Sequence, residues 1–262
     1  MCHTRRGVAM TEDIGPLLNH WPYDPKNSIR KIFSSKGVEK IQVRIDQGPF
    51  QGILQMELDG RPDGRRPHNS AFVLDHFTGR LRRFIEKHGA SDGFSLKKAH
   101  CRELFDESRL LYERYVFLLQ IRDYDRVIRD TQRNMELFRF VNQYAAAEDD
   151  RLNLEKWWPY VLRIHAIARV MIASQENDFT KGIQIIRDVL DKIENLEEVE
   201  AEEFAVEKKR SVESLHELLD ELEQQRPLTE SERLKKELLE AIDNEEFERA
   251  AELRDQINMM GE

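Results

Sequence analysis

The sequence contains few of the residues that break helices or cross-link chains. Its 262 residues include only 12 Gly and 8 Pro, whereas 35% are charged, a balance that favours long helices with charged outer faces. The two cysteines, Cys2 and Cys101, cannot form a disulfide framework and suit a reducing compartment. No apolar run approaches the roughly 18 residues of a membrane span, and no secretory signal is present. These absences predict a cytoplasmic, mainly α-helical protein.

Signatures of catalysis and of metal binding are missing as well. The sequence has no Walker A pattern, no nucleophile elbow and no CxxC pair. His165 lies in the apolar stretch VLRIHAIARV, where a hydrogen-bonded core residue is expected more often than a catalytic base. We therefore expect no enzymatic activity, no cofactor and no metal site.

One catalytic alternative stays open. It would join His68 or His76 to Asp59 or Asp63 beside an arginine-rich loop and act on an anionic substrate. No sequence motif supports this arrangement, so a binding function is the preferred interpretation.

The negative charge is concentrated at one end of the chain. Residues 201–262 hold nineteen acidic and nine basic residues, a net charge of −10, although the whole chain carries only −9. An acidic segment of this kind repels phosphate backbones. If the protein acts near DNA, we expect it to do so through another protein.

The N-terminal part of the sequence predicts a small β-hairpin after a flexible segment. Residues 1–9 precede a second methionine and are interpreted as a mis-assigned start or a disordered tail, and residues 1–20 as flexible. Residues 39–59 alternate between apolar and polar residues in two runs separated by DQGP, as in a hairpin. An isolated hairpin is marginally stable, so its apolar face should lie on the helices that follow.

Helical periodicity dominates from about residue 70 onward. Residues 121–138 and 176–193 are alike, because each begins with an Asp-aromatic pair, at Tyr124 and Phe179, and each follows another helix. The two units resemble tetratricopeptide-type helix pairs, although their separation is longer than the repeat of that family. The alternative is an ordinary helical bundle. In both cases residues 21–225 are expected to form one helical body with the β-hairpin.

A long charged helix is predicted to close this body at residues 197–225. Its apolar residues are spaced three, four and three apart, as in a short coiled-coil seam: Val212, Leu215, Leu219 and Leu222. A seam of about two heptads more often lies on its own domain than on a second chain. Self-association through this helix is therefore the less favoured interpretation.

The loop DGRPDGRRPH, residues 59–68, allows two interpretations. Its arginines could bind an anion, with turn amides contributing: Arg61, Arg65 and Arg66. Alternatively, the loop is a solvated connection whose turns are stabilised by Asp59 and Asp63. The second interpretation is favoured, because no helix-start phosphate motif accompanies the arginines.

Residues 226–262 are predicted to form a separate helical hairpin. Pro227 excludes helical geometry for the residue before it, and Thr229 with Glu232 forms a capping box for a new helix. The first helix carries one apolar stripe: Leu234, Leu238 and Ile242. The second helix carries another, with Ala251 alongside: Phe247, Ala250, Leu253 and Ile257. A segment of this length falls below the ~40 residues that usually fold unaided, so it should pack on another surface.

Arg254 strengthens the expectation of a partner. The residues three and four positions away from it on its own helix are not acidic, so its counter-charge is expected on another helix or another molecule.

The segment ERLKKELLEAIDNEEFERAAELRDQI, residues 232–257, resembles the UVR motif shared by the B and C subunits of the bacterial excision nuclease. The agreement includes a Phe-Glu-x-Ala-Ala core starting at Phe247 and a Leu-Arg-Asp end starting at Leu253. In that family the hairpin pairs with another copy of itself. Related copies occur in Clp-type ATPases and in the activator of a protein-arginine kinase. The resemblance implies docking, whereas the absence of helicase motifs, a nuclease domain and zinc-binding CxxC pairs argues against the activities of those proteins.

The expected function is a non-enzymatic adaptor or scaffold. Its hairpin would dock on a UVR-bearing protein or a Clp-type ATPase, or pair with a second copy of itself. The residues expected at the interface are Leu238, Ile242, Phe247, Ala250, Ala251, Leu253, Arg254, Asp255 and Ile257. The alternative is a nucleic-acid-binding accessory factor in DNA repair that uses the arginines of residues 61–66.

Overall fold

The computed structural model describes residues 13–227 and 230–260, except for the side chains of residues 231, 259 and 260. Its elements in chain order are α1 (Gly15–His20), β1 (Ile29–Phe33), β2 (Glu39–Gln47), β3 (Phe50–Glu57), α2 (Val73–His88), α3 (Lys98–Gln120), α4 (Tyr124–Tyr144), α5 (Glu148–Leu152), α6 (Trp158–Gln175), α7 (Phe179–Glu194), α8 (Glu202–Gln225), α9 (Glu230–Asp243) and α10 (Phe247–Met260). The predicted mainly α fold with a small N-terminal sheet is confirmed. The predicted flexible segment lies outside the described residues over residues 1–12, and its end contains α1.

The predicted β-hairpin is formed by β2 and β3, which pair in antiparallel register with Ile41 opposite Met56. Gly48 turns the chain between them with a φ of +58°, a conformation that glycine adopts without strain. Ile41, Met56 and Leu58 are buried against Tyr115 of α3 and other residues of α3, α4 and α6. The expectation that the sheet lies on the following helices is therefore confirmed.

A third strand was not predicted. β1 pairs antiparallel with β2, placing Ile29 opposite Val43, so that the strand order is β1-β2-β3. Its sequence, IRKIF, does not alternate between apolar and polar residues, because Ile32 and Phe33 are adjacent and Phe33 is 73% exposed. The strand forms by pairing with β2, and its sequence lacks the alternation of apolar and polar residues that predicts a strand.

The two repeat-like segments form the helix pairs α3–α4 and α6–α7, joined by the same type of turn. In the first turn Arg122 has a φ of +60°, and Asp123 donates its N–H to the carbonyl five residues earlier at 2.9 Å. In the second turn Asn177 has a φ of +59°, and Asp178 makes the equivalent bond at 2.8 Å. The likeness read from the sequence therefore extends to the backbone.

The aromatic residue after the first turn is buried against a later helix, and its counterpart after the second turn is partly buried. Tyr124 is 6% exposed and shares a core cluster with Ile164 and Ala168 of α6. Phe179 packs against the cluster that contains Leu222 of α8. In both helix pairs the aromatic residue therefore packs into a core cluster that includes residues of a later helix.

Helix α8 is that third helix for the second pair. It begins at Glu202, later than the predicted residue 197, and its leucines Leu215 and Leu222 are buried against α6 and α7. Gly182 permits this approach, since a Cβ at that position would lie 3.2 Å from Leu222 Cδ1. The predicted coiled-coil seam therefore packs on its own domain. No helix within residues 13–227 and 230–260 is long and apolar enough to cross a membrane.

Candidate functional site

The C-terminal helices α9 and α10 form a hairpin with its own small core. Leu234, Ala241, Ala250 and Leu253 are buried, and partly buried side chains pack against them: Leu238 and Ile257. All of these residues belong to the hairpin itself. Four of the residues predicted to bind a partner therefore stabilise the hairpin instead of facing outward: Leu238, Ala250, Leu253 and Ile257.

The turn of this hairpin repeats the geometry of the two turns in the body. Glu245 has a φ of +60°, and Glu246 donates its N–H to Ala241, five residues earlier, at 2.8 Å. Phe247 follows the turn at the position that Tyr124 and Phe179 occupy in the other two pairs. The same turn between two helices therefore occurs three times in the part of the chain that the structure describes.

The third unit differs from the others in the exposure of its aromatic residue. Phe247 is 69% exposed, whereas its equivalent Tyr124 is 6% exposed. Leu239 and Ile242, from the last turns of α9, are 63% and 47% exposed. These three residues, which we call the apolar face of the hairpin, lie next to the turn.

The predicted stripes were wrong in two places. Ile242 was placed on one stripe with Leu234 and Leu238, but Ala241 takes that core position. Phe247 was placed in line with the buried residues of α10 and is exposed. Leu239 was missed, although its spacing of three from Ile242, out of phase with the core positions, marks a second apolar surface on α9.

Arg254 has an ion-pair partner on its own helix, which contradicts the prediction that it had none. Its Nη2 lies 3.3 Å from a carboxylate oxygen of Asp255, the adjacent residue, and both side chains are more than 60% exposed. The prediction considered acidic residues three and four positions away on the helix and overlooked the adjacent one. A pair this exposed is worth little, so Arg254 and Asp255 remain accessible together with Ala251.

The hairpin is joined to the body by a short connection. Helix α8 ends at Gln225, before Pro227, as predicted. Arg226 forms an ion pair with Glu232 of α9 across the break. The predicted capping box cannot be assessed, because Thr229 lies outside the described residues.

The family comparison agrees with this geometry. Residues 231–262 match the UvrB/uvrC motif. The matched segment contains α9 from its second residue onward and the whole of α10, and we call these two helices the UVR hairpin. No curated protein and no solved structure matches the chain.

The arginine loop, residues 59–68, is anchored by a buried ion pair behind it. Arg114 donates through Nε and Nη2 to the two carboxylate oxygens of Asp130 at 2.6 and 2.7 Å, and both side chains are buried. Its Nη1 donates to the carbonyl oxygens of Glu57 and Gly60 at 2.9 and 2.7 Å. Helices α3 and α4 therefore hold the end of β3 and the start of the loop.

Glu107 of α3 is a second, fully buried anchor. Its carboxylate accepts the N–H groups of Val73 and Leu74, which begin α2, at 2.6 and 3.0 Å. Burial raises the pKa of Glu107, and the two N–H groups with the nearby Arg61 oppose that effect. Arg61 Nη1 lies 3.3 Å from this carboxylate, and Arg61 Nε donates to Asp63 at 2.9 Å.

The three arginines predicted to bind an anion therefore differ in their environment. Arg61 is 11% exposed and is engaged by two carboxylates. Arg65 and Arg66 are exposed, and their guanidinium groups pair with no residue in the described parts of the chain. Arg61 has a structural role here, whereas Arg65 and Arg66 are free to meet a ligand.

The structure does not assemble the catalytic alternative. His68 contacts Glu103 at 2.6 Å, whereas Asp59 binds Arg126 and Arg129. Burial disfavours ionisation of Asp59, but the two arginines outweigh it and lower the pKa of the carboxyl. Within the described residues, the histidines and aspartates of that hypothesis form no hydrogen bond with each other.

The histidines near the loop instead form a stacked pair. The rings of His68 and His76 lie 4.1 Å apart between centroids. Burial lowers the pKa of His76, and the charge of His68 lowers it further. No group of three or more His, Cys, Asp or Glu residues could hold a metal ion in the parts of the chain that are described.

His165 of α6 is a hydrogen-bonded, half-buried residue, as the sequence suggested. Its Nδ1 lies 2.9 Å from the Thr131 hydroxyl, which itself donates to the Val127 carbonyl at 2.7 Å. Burial, followed by the charges of Arg169 and Lys192, lowers the pKa of His165 to about 4.

This shift predicts a loss of stability in mild acid. Between about pH 6.5 and 4 the unfolded chain binds a proton at His165 that the folded chain does not, so stability falls as the pH is lowered. Since the ring is only partly buried, we expect a loss of about 1–3 kcal/mol. Urea unfolding followed by tryptophan fluorescence at both ends of this range measures it. His165→Gln should flatten the pH dependence, whereas His216→Gln, at an exposed position of α8, should not; equal slopes for both would contradict the assignment.

Proposed function

We propose that the protein is a non-enzymatic adaptor that docks through the apolar face of its UVR hairpin onto a helical partner. The partner is another UVR-bearing protein, such as an excision-nuclease subunit, or a Clp-type ATPase. The observation that carries the proposal is the exposure of Phe247, at a position where the two other helix pairs of the same chain have a buried Tyr124 and a partly buried Phe179.

Burial of the three residues of the apolar face would supply a useful part of the binding free energy. Burying one Phe side chain stabilises an association by about 1.5–3 kcal/mol, and Leu239 and Ile242 beside it add comparable amounts. Arg254 and Asp255 are exposed on the same helix as Phe247, about two turns further along, and supply charges of both signs. Charged residues at the rim select the partner more than they add affinity.

Residues 201–262 carry a net negative charge, which repels nucleic-acid phosphates. A protein is therefore the favoured ligand at this end of the chain. The helical body then serves as the second recognition surface of the adaptor. Its packed helix pairs are of a kind that more often bind proteins or peptides than perform chemistry.

The test compares full-length proteins as baits in an extract of the source organism, with captured proteins identified by mass spectrometry. Phe247→Ala and Arg254→Glu should lose a UVR-bearing protein or a Clp-type ATPase that the wild type captures. Phe33→Ala is the matched control, since Phe33 is a comparably exposed phenylalanine, 73% against 69%, in the sheet. We expect at least a tenfold loss of affinity for Phe247→Ala, about 1.4 kcal/mol or more.

Two outcomes would contradict the proposal. Identical captures by the wild type, Phe247→Ala and Phe33→Ala would show that the apolar face is not used. A homodimer that sedimentation separates into monomers on Phe247→Ala, without capture of another protein, would show that the hairpin pairs with its own twin.

A further inference from the structure

A cavity of about 650 Å³ lies between the β1–β2 turn and the arginine loop. Its lining includes five cationic and two acidic residues: Lys36, Lys40, Arg61, Arg65, Arg66, Glu57 and Asp59. A cavity of this volume matches small-molecule sites, which span roughly 300–1,000 Å³. The described residues of the UVR hairpin are not part of this lining.

The charges of the lining divide into satisfied and free groups. Lys40 is paired with Glu57, and Asp59 is paired with arginines of α4 outside the cavity lining. Arg61 is engaged by carboxylates as described above. Lys36, Arg65 and Arg66 form no ion pair with any part of the chain that the structure describes. The cavity therefore presents three uncompensated positive charges.

Both walls of the cavity are fixed by hydrogen bonds. In the β1–β2 turn, Ser34 donates its N–H to the Val38 carbonyl at 2.8 Å, and its hydroxyl accepts the Val38 N–H at 3.1 Å. In the arginine loop, Gly64 donates its N–H to the Arg61 carbonyl at 2.9 Å, and Asp63 accepts the N–H of Arg65 at 3.0 Å. The two free arginines thus extend from a backbone whose conformation is already set, which lowers the entropic cost of binding.

We propose that this cavity binds a small phosphate-bearing molecule, with Lys36, Arg65 and Arg66 as its ligands. A guanidinium group presents paired N–H donors that match two phosphate oxygens, and a lysine adds a compact charge. Three such groups suit a ligand with two or more negative charges, such as a diphosphate. Arg61 positions the loop and does not contact the ligand.

A small molecule fits the site better than a nucleic acid does. The free cations are gathered around one concavity instead of forming a stripe, and acidic side chains lie among them and beside them, at Glu57, Asp59 and Asp63. The whole chain carries a net charge of −9, which opposes a long polyanion more than a compact ligand.

The test is isothermal titration calorimetry on the full-length protein with pyrophosphate and with ADP as probes, at low ionic strength. The wild type should bind at least one probe saturably with one site, and Arg65→Ala/Arg66→Ala should weaken that binding at least tenfold. Arg65→Lys/Arg66→Lys should fall between them, since the charge remains and the planar fork is lost. All substituted residues are exposed, so the fold is expected to persist, and unfolding midpoints will check this.

The matched control is Arg82→Ala/Arg83→Ala, which removes the same charge from two exposed arginines of α2 that do not line the cavity. It should bind the probe as the wild type does. Absence of saturable binding of both probes, or equal weakening in both double variants, would overturn the proposal. Tighter binding of a labelled single-stranded DNA oligonucleotide, lost on Arg65→Ala/Arg66→Ala, would overturn it in favour of a nucleic acid. None of these results bears on the docking proposal, which concerns Phe247.

Discussion

Replacing Arg114 with methionine is expected to lower the free energy of unfolding by about 3–5 kcal/mol. Among the described residues, the substitution leaves the buried carboxylate of Asp130 with Arg129 Nε, at 3.0 Å, as its one side-chain donor. It also removes the donor to the Glu57 and Gly60 carbonyl oxygens. A buried charge that loses its partner costs more than the pair itself contributes.

Urea unfolding followed by tryptophan fluorescence measures this change in the body, because the UVR hairpin has no tryptophan. Arg109→Met is the control in the same helix, since Arg109 is 61% exposed and its ion-pair partners among the described residues are Asp106 and Glu113 of α3; it should cost about 1 kcal/mol at most. The double variant Arg114→Met/Asp130→Leu should be more stable than Arg114→Met alone, because it removes the stranded charge. Equal stability of Arg114→Met and Arg109→Met would show that the buried pair does not anchor the fold.

Much of the helical body could be predicted from local sequence alone. Apolar residues at helical spacing marked α3, α4, α6 and α7, and the Asp-aromatic pairs at Tyr124 and Phe179 marked the turns between them. Strand β1 could not be found in the same way, because its only regular feature is its pairing with β2. An edge strand that lacks apolar–polar alternation forms because a neighbouring strand pairs with it, and a short stretch of sequence does not contain that neighbour.

The UVR hairpin shows a second limit of the sequence. Its existence and approximate bounds were predicted, but a helix that places Leu234, Leu238 and Ile242 at spacings of four can equally place Ala241 in the core. The positions 241 and 242 differ by about 100° around the helix, and only the packing of α10 decides between them. For the same reason the sequence could not show that Phe247, just after the turn, faces outward.

The arginine loop shows a third limit, which is contact over long sequence separation. Arg61, Arg65 and Arg66 are equivalent in the sequence, and only the structure brings Glu107, 46 residues from Arg61, beside one of them. The contact makes Arg61 structural and leaves the other two free. Sequence reasoning could identify the loop as basic but could not divide its arginines into these two roles.

Glu107 of α3 caps the N-terminus of α2 and also contacts the arginine loop. The residue before the helix, Phe72, has no side chain that could accept a hydrogen bond, so the first N–H groups of α2 depend on the Glu107 carboxylate. The same carboxylate lies 3.3 Å from Arg61. One buried residue therefore stabilises both a helix end and the base of the arginine loop.

Glu107→Ala should accordingly lower the free energy of unfolding by about 2–4 kcal/mol, since it leaves the N–H groups of Val73 and Leu74 without acceptors. Glu107→Gln should cost less, because an amide oxygen can still accept one N–H. Glu113→Ala is the matched control, a glutamate of the same helix whose side chain is 36% exposed and pairs with Arg109. If Glu107→Ala unfolds at the same urea concentration as Glu113→Ala, the cap contributes nothing to stability; if it unfolds much earlier, hydrogen exchange should also be faster at the first turn of α2 than at its end.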